Sequence, residues 1–195
     1  MNSDEMVATN GTLHSVMWQQ IREIGLEHFS LRKLEQEWHL KGTILTLFSG
    51  QPTTINYAIR CDETWKTDHV HVTMNLGQSH QPFLLTRDEQ SNWQINGVDD
   101  HRLSPCVDVD LGITPATNML PIRRLKLAVG QSATVPAAWV RFPQLSVELL
   151  EQRYTRLDEK RYRYESRGGA FETEFEVDVQ GLVMTYPNLW ERVGI

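Results

Sequence analysis

Between Lys160 and Gly181 the chain reads "KRYRYESRGGAFETEFEVDVQG", an alternation of apolar and charged residues broken once at a glycine pair. In an extended strand Phe171, Thr173, Phe175, Val177 and Val179 share one face, and Glu172, Glu174, Glu176 and Asp178 the other. Gly168 and Gly169 supply the turn. On the preceding arm Tyr162 and Tyr164 alternate with Arg161 and Arg163. One hairpin register therefore sets aromatics against aromatics and arginines against glutamates. A chain with such a segment needs a sheet to hold it.

The same period of two recurs along the sequence. "GTILTLFSG", "TINYAIRC" and "DHVHVTM" are short runs rich in Thr, Val and Ile, and "PFLLTRDEQSNWQING" reads as a hairpin with a polar tip. Their regular spacing predicts a mainly β fold with little helix, an antiparallel meander curled into a roll or open barrel. The best helix candidate is "TLHSVMWQQIREIG", where Val16, Ile21 and Ile24 share a helical face before Gly25, although "SVMWQQI" also fits a strand. "YAIRCDETWKTDHVHV" and "YRYESRGGAFETEFEV" echo one another, as a duplicated unit would. The expected organisation is an N-terminal tail over 1–17 and one β domain over 18–195, with halves near 18–105 and 106–195.

Charge and composition remove whole classes of function. The net charge is -6 and the sequence pI near 5.6, which argues against a nucleic-acid partner, since phosphate binding needs a basic surface. No run reaches the roughly 18 apolar residues of a spanning helix, so no integral membrane segment is expected. The opening "MNSDEMVATNG" matches neither a secretory signal nor an anchor. Cys61 and Cys106 stand alone, outside any disulfide or zinc spacing, and a reducing, cytoplasmic setting is expected.

The alternation fails at "CVDVDLGITPATNMLPIRR". A strand reading puts Cys106, Asp108 and Asp110 on one face, the two carboxylates about 7 Å apart. Pro115 and Pro121 argue against a long helix and make the next residues a shaped connection. Thr114, Thr117 and Asn118 offer donors and acceptors there. "IRRLKLAV" then reads as a strand. Arg123 faces inward with Leu125, Leu127 and Val129, while Arg124 and Lys126 face outward to pair with Asp110 and Asp108. Arg123 can snorkel at a rim, pair with a buried acid, or reach a ligand.

Other chemistry is sparse. His69 and His71 have chelating spacing, but Asn75 and Leu76 stand where further ligands would follow, so no metal and no cofactor are expected. GxSxG, Walker A and GxGxxG elements are absent. Paired carboxylates such as Asp108 with Asp110, or Glu174 with Glu176, are the residue types that hydrolyse glycosides. No acid, base and orienting group can be named together, so the catalytic residues are unassigned.

Four blocks together carry a resemblance: "YAIRCDETWKT" at Tyr57 to Thr67, "CVDVDLGITPATNMLPIRRL" at Cys106 to Leu125, "EQRYT" at Glu151 to Thr155, and "VDVQGLVMTYP" at Val177 to Pro187. From about Trp18 to Pro187 the chain resembles the glycolipid-binding family of bacterial proteins, formerly a domain of unknown function. The resemblance implies a duplicated, curled antiparallel sheet, similar in outline to the periplasmic lipoprotein carriers that shelter acyl chains. The function expected is non-enzymatic binding of a lipid or glycolipid in an apolar groove with a polar head-group rim. Asp108, Asp110, Thr114, Thr117, Asn118, Arg123 and Arg124 are the rim candidates. Aspartates there accept sugar hydroxyls and an arginine meets phosphate or carboxylate. Tyr162, Tyr164, Phe171 and Phe175 are candidates to line the groove. The alternative is an enzyme acting on a small lipid or sugar conjugate through the same carboxylates. Nothing in the sequence specifies an oligomeric state.

Overall fold

In the computed structural model, which describes residues 13–194, the alternating runs become strands of one large sheet, curled but not closed. The first eight form an antiparallel meander: β1 (Leu13–Gln20), β2 (Gly25–Leu34), β3 (Glu37–Phe48), β4 (Gln51–Cys61), β5 (Thr67–Leu76), β6 (Ser79–Arg87), β7 (Trp93–Ile95) and β8 (Val98–Asp99). After β9 (Asp108–Leu111) come β10 (Ser132–Arg141), β11 (Ser146–Arg156), β12 (Arg161–Ser166), β13 (Phe171–Val177), β14 (Val183–Tyr186) and β15 (Trp190–Val193). The strand order is β8-β7-β6-β5-β4-β3-β2-β1-β15-β14-β13-β12-β11-β10-β9. Strands from either side of 105/106 thus share one sheet, joined at β1 and β15, with β8 and β9 at its opposite edges.

The long strands of the meander bury every second side chain on one face. Phe29 and Leu31 from β2, Leu40 and Ile44 from β3, Ile55 and Ile59 from β4, and Val70, Val72 and Met74 from β5 are essentially inaccessible to solvent. Their neighbours His28, Lys41, Thr43 and His71 face water. The C-terminal hairpin has the register expected from its alternation, with Tyr162 opposite Phe175 and Arg163 opposite Glu174. Pairing turns irregular at Glu176/Val177 and β13 ends there, which leaves Val179 exposed rather than on the buried face.

Two expectations change. "LHSVMWQQ" is a strand, because it has partners on both sides, β2 and β15, and buries Trp18. The indole of Trp18 packs 5.4 Å from the Phe29 ring and donates to the Val183 carbonyl at 2.7 Å. Tertiary pairing outweighs the weak intrinsic helicity of so short a run. Ile21 and Ile24 lie beyond the strand end, exposed in the turn. β1 also begins inside the stretch expected to be tail; residues 1–12 lie outside those described.

The second change is at "IRRLKLAV", which is not a strand. A 3₁₀ turn (Ala116–Asn118) leads into helix α1 (Met119–Leu125), ended by Lys126 in the left-handed region at φ 48°. The reason is topological. β9 and β10 form the one parallel pair among the described strands, and parallel neighbours need a crossover connection, usually helical. Pro121 is tolerated because it falls in the first helical turn, where backbone N–H groups have no intrahelical acceptor. The crossover lies against the concave face, with Ala116, Met119 and Leu120 fully buried. Thr67 N–H donates to the Val107 carbonyl at 3.2 Å and the Trp93 indole to that of Cys106 at 3.0 Å, locking the segment before β9 to the meander.

Candidate ligand-binding site

The crossover is tied to the meander by a buried carboxyl. Glu27 on β2 points inward in phase with Phe29 and Leu31 and is fully buried. Tyr57 reaches it from β4 by laying its ring across Gly42 on the intervening strand. A Cβ at Gly42 would stand 2.2 Å from that ring, so only glycine admits the arrangement. The Tyr57 hydroxyl donates to Glu27 Oε1, and the Thr114 hydroxyl donates to the same oxygen at 2.8 Å. Oε2 is buried with no partner among the described residues. Burial, outweighing the two donors, raises the Glu27 pKa from 4.5 to about 7.

Thr114 also borders the hollow that the crossover leaves unfilled. A pocket of about 230 Å³ opens between the crossover and the C-terminal strands. Its polar side comprises Asp110 from β9, Thr114 and Asn118 from the crossover, Tyr164 and Ser166 from β12, Tyr186 from β14, and Arg167. Trp139, Leu150, Phe171, Leu189 and Trp190 complete the walls. Gly112 is required beside Trp139, since a Cβ there would meet the indole nitrogen at 2.5 Å.

Asp110 dominates the chemistry of this pocket. Gln152 Nε2 donates to its Oδ2 at 2.5 Å, the one regular hydrogen bond its carboxyl accepts from the described residues. The Tyr154 hydroxyl lies 3.5 Å from Gln152 Oε1 and donates to Asn118 Oδ1 at 3.1 Å, and Asn118 Nδ2 donates to the Pro115 carbonyl at 3.1 Å, a buried relay that runs on from Gln152. The relay fixes the Asn118 amide and keeps β11 and the crossover in register. Burial raises the Asp110 pKa from 3.8 to about 6, against the pull of Gln152 and of the nearby Thr117. Burial, and secondarily the Asp110 charge, raise the phenol of Tyr164; Tyr186 is raised by burial, then by Tyr164 and Asp110. Both hydroxyls therefore stay protonated and available as donors. At the mouth, the guanidinium of Arg167 stacks 5.0 Å from the Trp139 ring, with Arg141 at the same distance.

The seven rim candidates separate. Asp110, Thr114 and Asn118 line the pocket. Asp108, 1% exposed, is held by Arg124 in a two-pronged ion pair, with Nε to Oδ1 at 3.0 Å and a terminal nitrogen to Oδ2 at 2.6 Å. Arg124 therefore pairs with Asp108, not Asp110, and the pair ties α1 to β9. The Thr117 hydroxyl is buried near Asp110 without a hydrogen bond of regular geometry. Arg123 stands elsewhere, stacked 5.1 Å from the Trp65 ring beside a separate hollow shared with Lys126, Arg156 and Tyr162. Of the four groove candidates, Tyr164 and Phe171 line the pocket, Phe175 is core between Tyr162 and Tyr186, and Tyr162 borders the second hollow. Cys61 and Cys106 are buried, and burial raises both thiols, that of Cys106 to about 12, which makes them unreactive.

Residue type alone did not single out Trp139, Gln152, Ser166, Arg167, Tyr186, Leu189 and Trp190. Gln152 left one trace: in "EQRYTR" it shares strand phase with Tyr154, and both are buried. The rest come from β10, β12, β14, β15 and their turns, brought together only by the sheet.

Residues 15–192 match the model of a family described as "Putative glycolipid-binding". Among solved structures, the chain is similar to a DUF1089 family protein from Pseudomonas aeruginosa, 32% identical, with a TM-score of 0.79 over 87% of this chain and 92% of that one. No curated protein matches it.

Proposed function

The chain belongs to that glycolipid-binding family, and on this premise we propose that the pocket beside the crossover receives the sugar head group of a glycolipid. The supporting observation is Asp110: a carboxylate that accepts one regular hydrogen bond from the described residues, set among aromatic rings and the hydroxyls of Thr114, Tyr164 and Tyr186. Sugars are recognised by such pairings, with carboxylate and amide groups on the hydroxyls and aromatic faces on the ring's C–H surface. Thr114, Asn118, Tyr164 and Tyr186 would complete the polar contacts. Asp108 and Arg124 brace the crossover that presents them.

The pocket, at about 230 Å³, is smaller than the roughly 300–1,000 Å³ of clefts for drug-sized ligands. It suits one sugar ring, and acyl chains would leave through the mouth. The geometry favours binding over hydrolysis by paired carboxylates, which needs two carboxyl groups flanking the bond. Asp108 is sealed by Arg124, and Glu174 and Glu176 lie exposed on β13.

The test is calorimetric titration of a panel of octyl glycosides into wild type and Asp110→Asn. Loss of a charge-assisted hydrogen bond worth about 1.5–3 kcal/mol predicts affinity lower by roughly 10- to 100-fold. Equal affinity in the two proteins, or no binding of any glycoside by wild type, would overturn the proposal.

A further inference from the structure

The rim next to the pocket mouth carries side chains that a solvated surface does not explain. Phe171, Leu189, Ile21, Ile24, Leu26 and Leu45 are 36–74% exposed. They form a continuous path. Phe171 and Leu189 line the mouth, and the Leu189 carbonyl accepts the backbone N–H of Ile21 at 3.0 Å. Ile24 follows in the same turn, and its carbonyl accepts from the Thr46 hydroxyl at 3.0 Å. Leu26 and Leu45 are direct cross-strand neighbours on the outer face of β2 and β3. Further along those strands the outward positions are His28, Ser30, Lys41 and Thr43. Aliphatic side chains are thus gathered at the end of the sheet that holds the pocket.

We propose that this rim rests on the surface of a lipid bilayer. The inference builds on the head-group pocket: a glycolipid whose sugar sits on Asp110 must send its chains out past Phe171 and Leu189, onto the path just traced. Six large apolar side chains exposed along one path are a contiguous patch rather than the singly scattered surface hydrophobics of an ordinary solvated face. Acyl chains that leave the pocket along this path belong in a bilayer, which favours a membrane over a second copy of the chain as the surface that covers it. Arg22 in the turn and Arg167 at the mouth lie at the same end, offset in part by Glu23. The contact is therefore chiefly apolar, and its affinity should change little with salt.

Vesicle co-sedimentation tests this with phosphatidylcholine vesicles, with and without a glycosyl diacylglycerol. Wild type should bind both, the second more tightly, in low and high salt. Ile24→Glu and Leu45→Glu place charges at positions already in water, so the fold should persist while binding to both vesicles falls at least about tenfold. Asp110→Asn should keep binding to plain vesicles and lose only the glycolipid enhancement. Wild type that fails to sediment with either vesicle would overturn the bilayer proposal even if octyl glycosides still bind. So would sedimentation velocity showing a wild-type dimer that Ile24→Glu converts to monomer, since a second copy would then cover the rim.

Discussion

Glu27→Gln probes the buried link between crossover and meander. The folded protein keeps the Glu27 proton up to about pH 7, whereas the unfolded chain releases it near 4.5. Between those values the folded state binds more protons, so unfolding free energy falls as pH rises. Glu27's contribution is complete below about pH 4.5 and lost as pH climbs through 7. At 1.36 kcal/mol per pH unit the difference is about 3 kcal/mol. Asp110, raised from 3.8 to about 6, acts in the same direction over a lower window, so the wild-type slope alone does not isolate Glu27. Glutamine keeps an oxygen for Tyr57 and Thr114 but puts an unpaired amide where Oε2 lies, at a pH-independent cost of about 1–3 kcal/mol. The diagnostic quantity is therefore the difference between the two proteins as a function of pH. Urea unfolding at about pH 5, 7 and 8.5 should show wild type losing about 2.5 kcal/mol relative to Glu27→Gln from the lowest pH to the highest. Parallel pH profiles would refute the assignment of a neutral Glu27 in the folded core.

Two further substitutions test the framework. Arg124→Ala leaves Asp108 buried and unpaired, which should cost about 3–5 kcal/mol in urea unfolding, and Asp108→Asn in the same chain should restore part of it. Gly42→Ala drives a methyl into the Tyr57 ring, so stability should fall by about 1–3 kcal/mol and the Glu27 pH dependence should shift as its donor is displaced.

The hairpin from Arg161 to Val177 was legible because its two faces carry different chemistry, so one alternation fixed both strand and register. Asp110 could be named from residue type and phase alone. The crossover was harder to read. Its helix follows from the parallel pairing of β9 with β10, a relation between segments some twenty residues apart, and Pro121 suits a first helical turn as well as an extended loop. Glu27 carried a signal that went unused: in "GLEHFSL" it alternates in phase with Phe29 and Leu31, so an acid stands in a row of core positions. Trp139, Tyr186 and Trp190 carried none, since no local pattern says that their strands converge on one hollow.

The seam between β1 and β15 bears on how the chain comes to its shape. Trp18 on the first described strand donates to the carbonyl of Val183, 165 residues further along, and β1 finds its second neighbour only in β15. During synthesis the meander can form early, yet one flank of β1 stays open until β15 has been made. Loop closure on that scale makes assembly slow, and an open strand flank is a template for wrong partners. β14 and β15, made after the other described strands, close that flank, and they also bring Tyr186 and Trp190 to the pocket. A nascent chain therefore completes its pocket and its protection from aggregation in the same step.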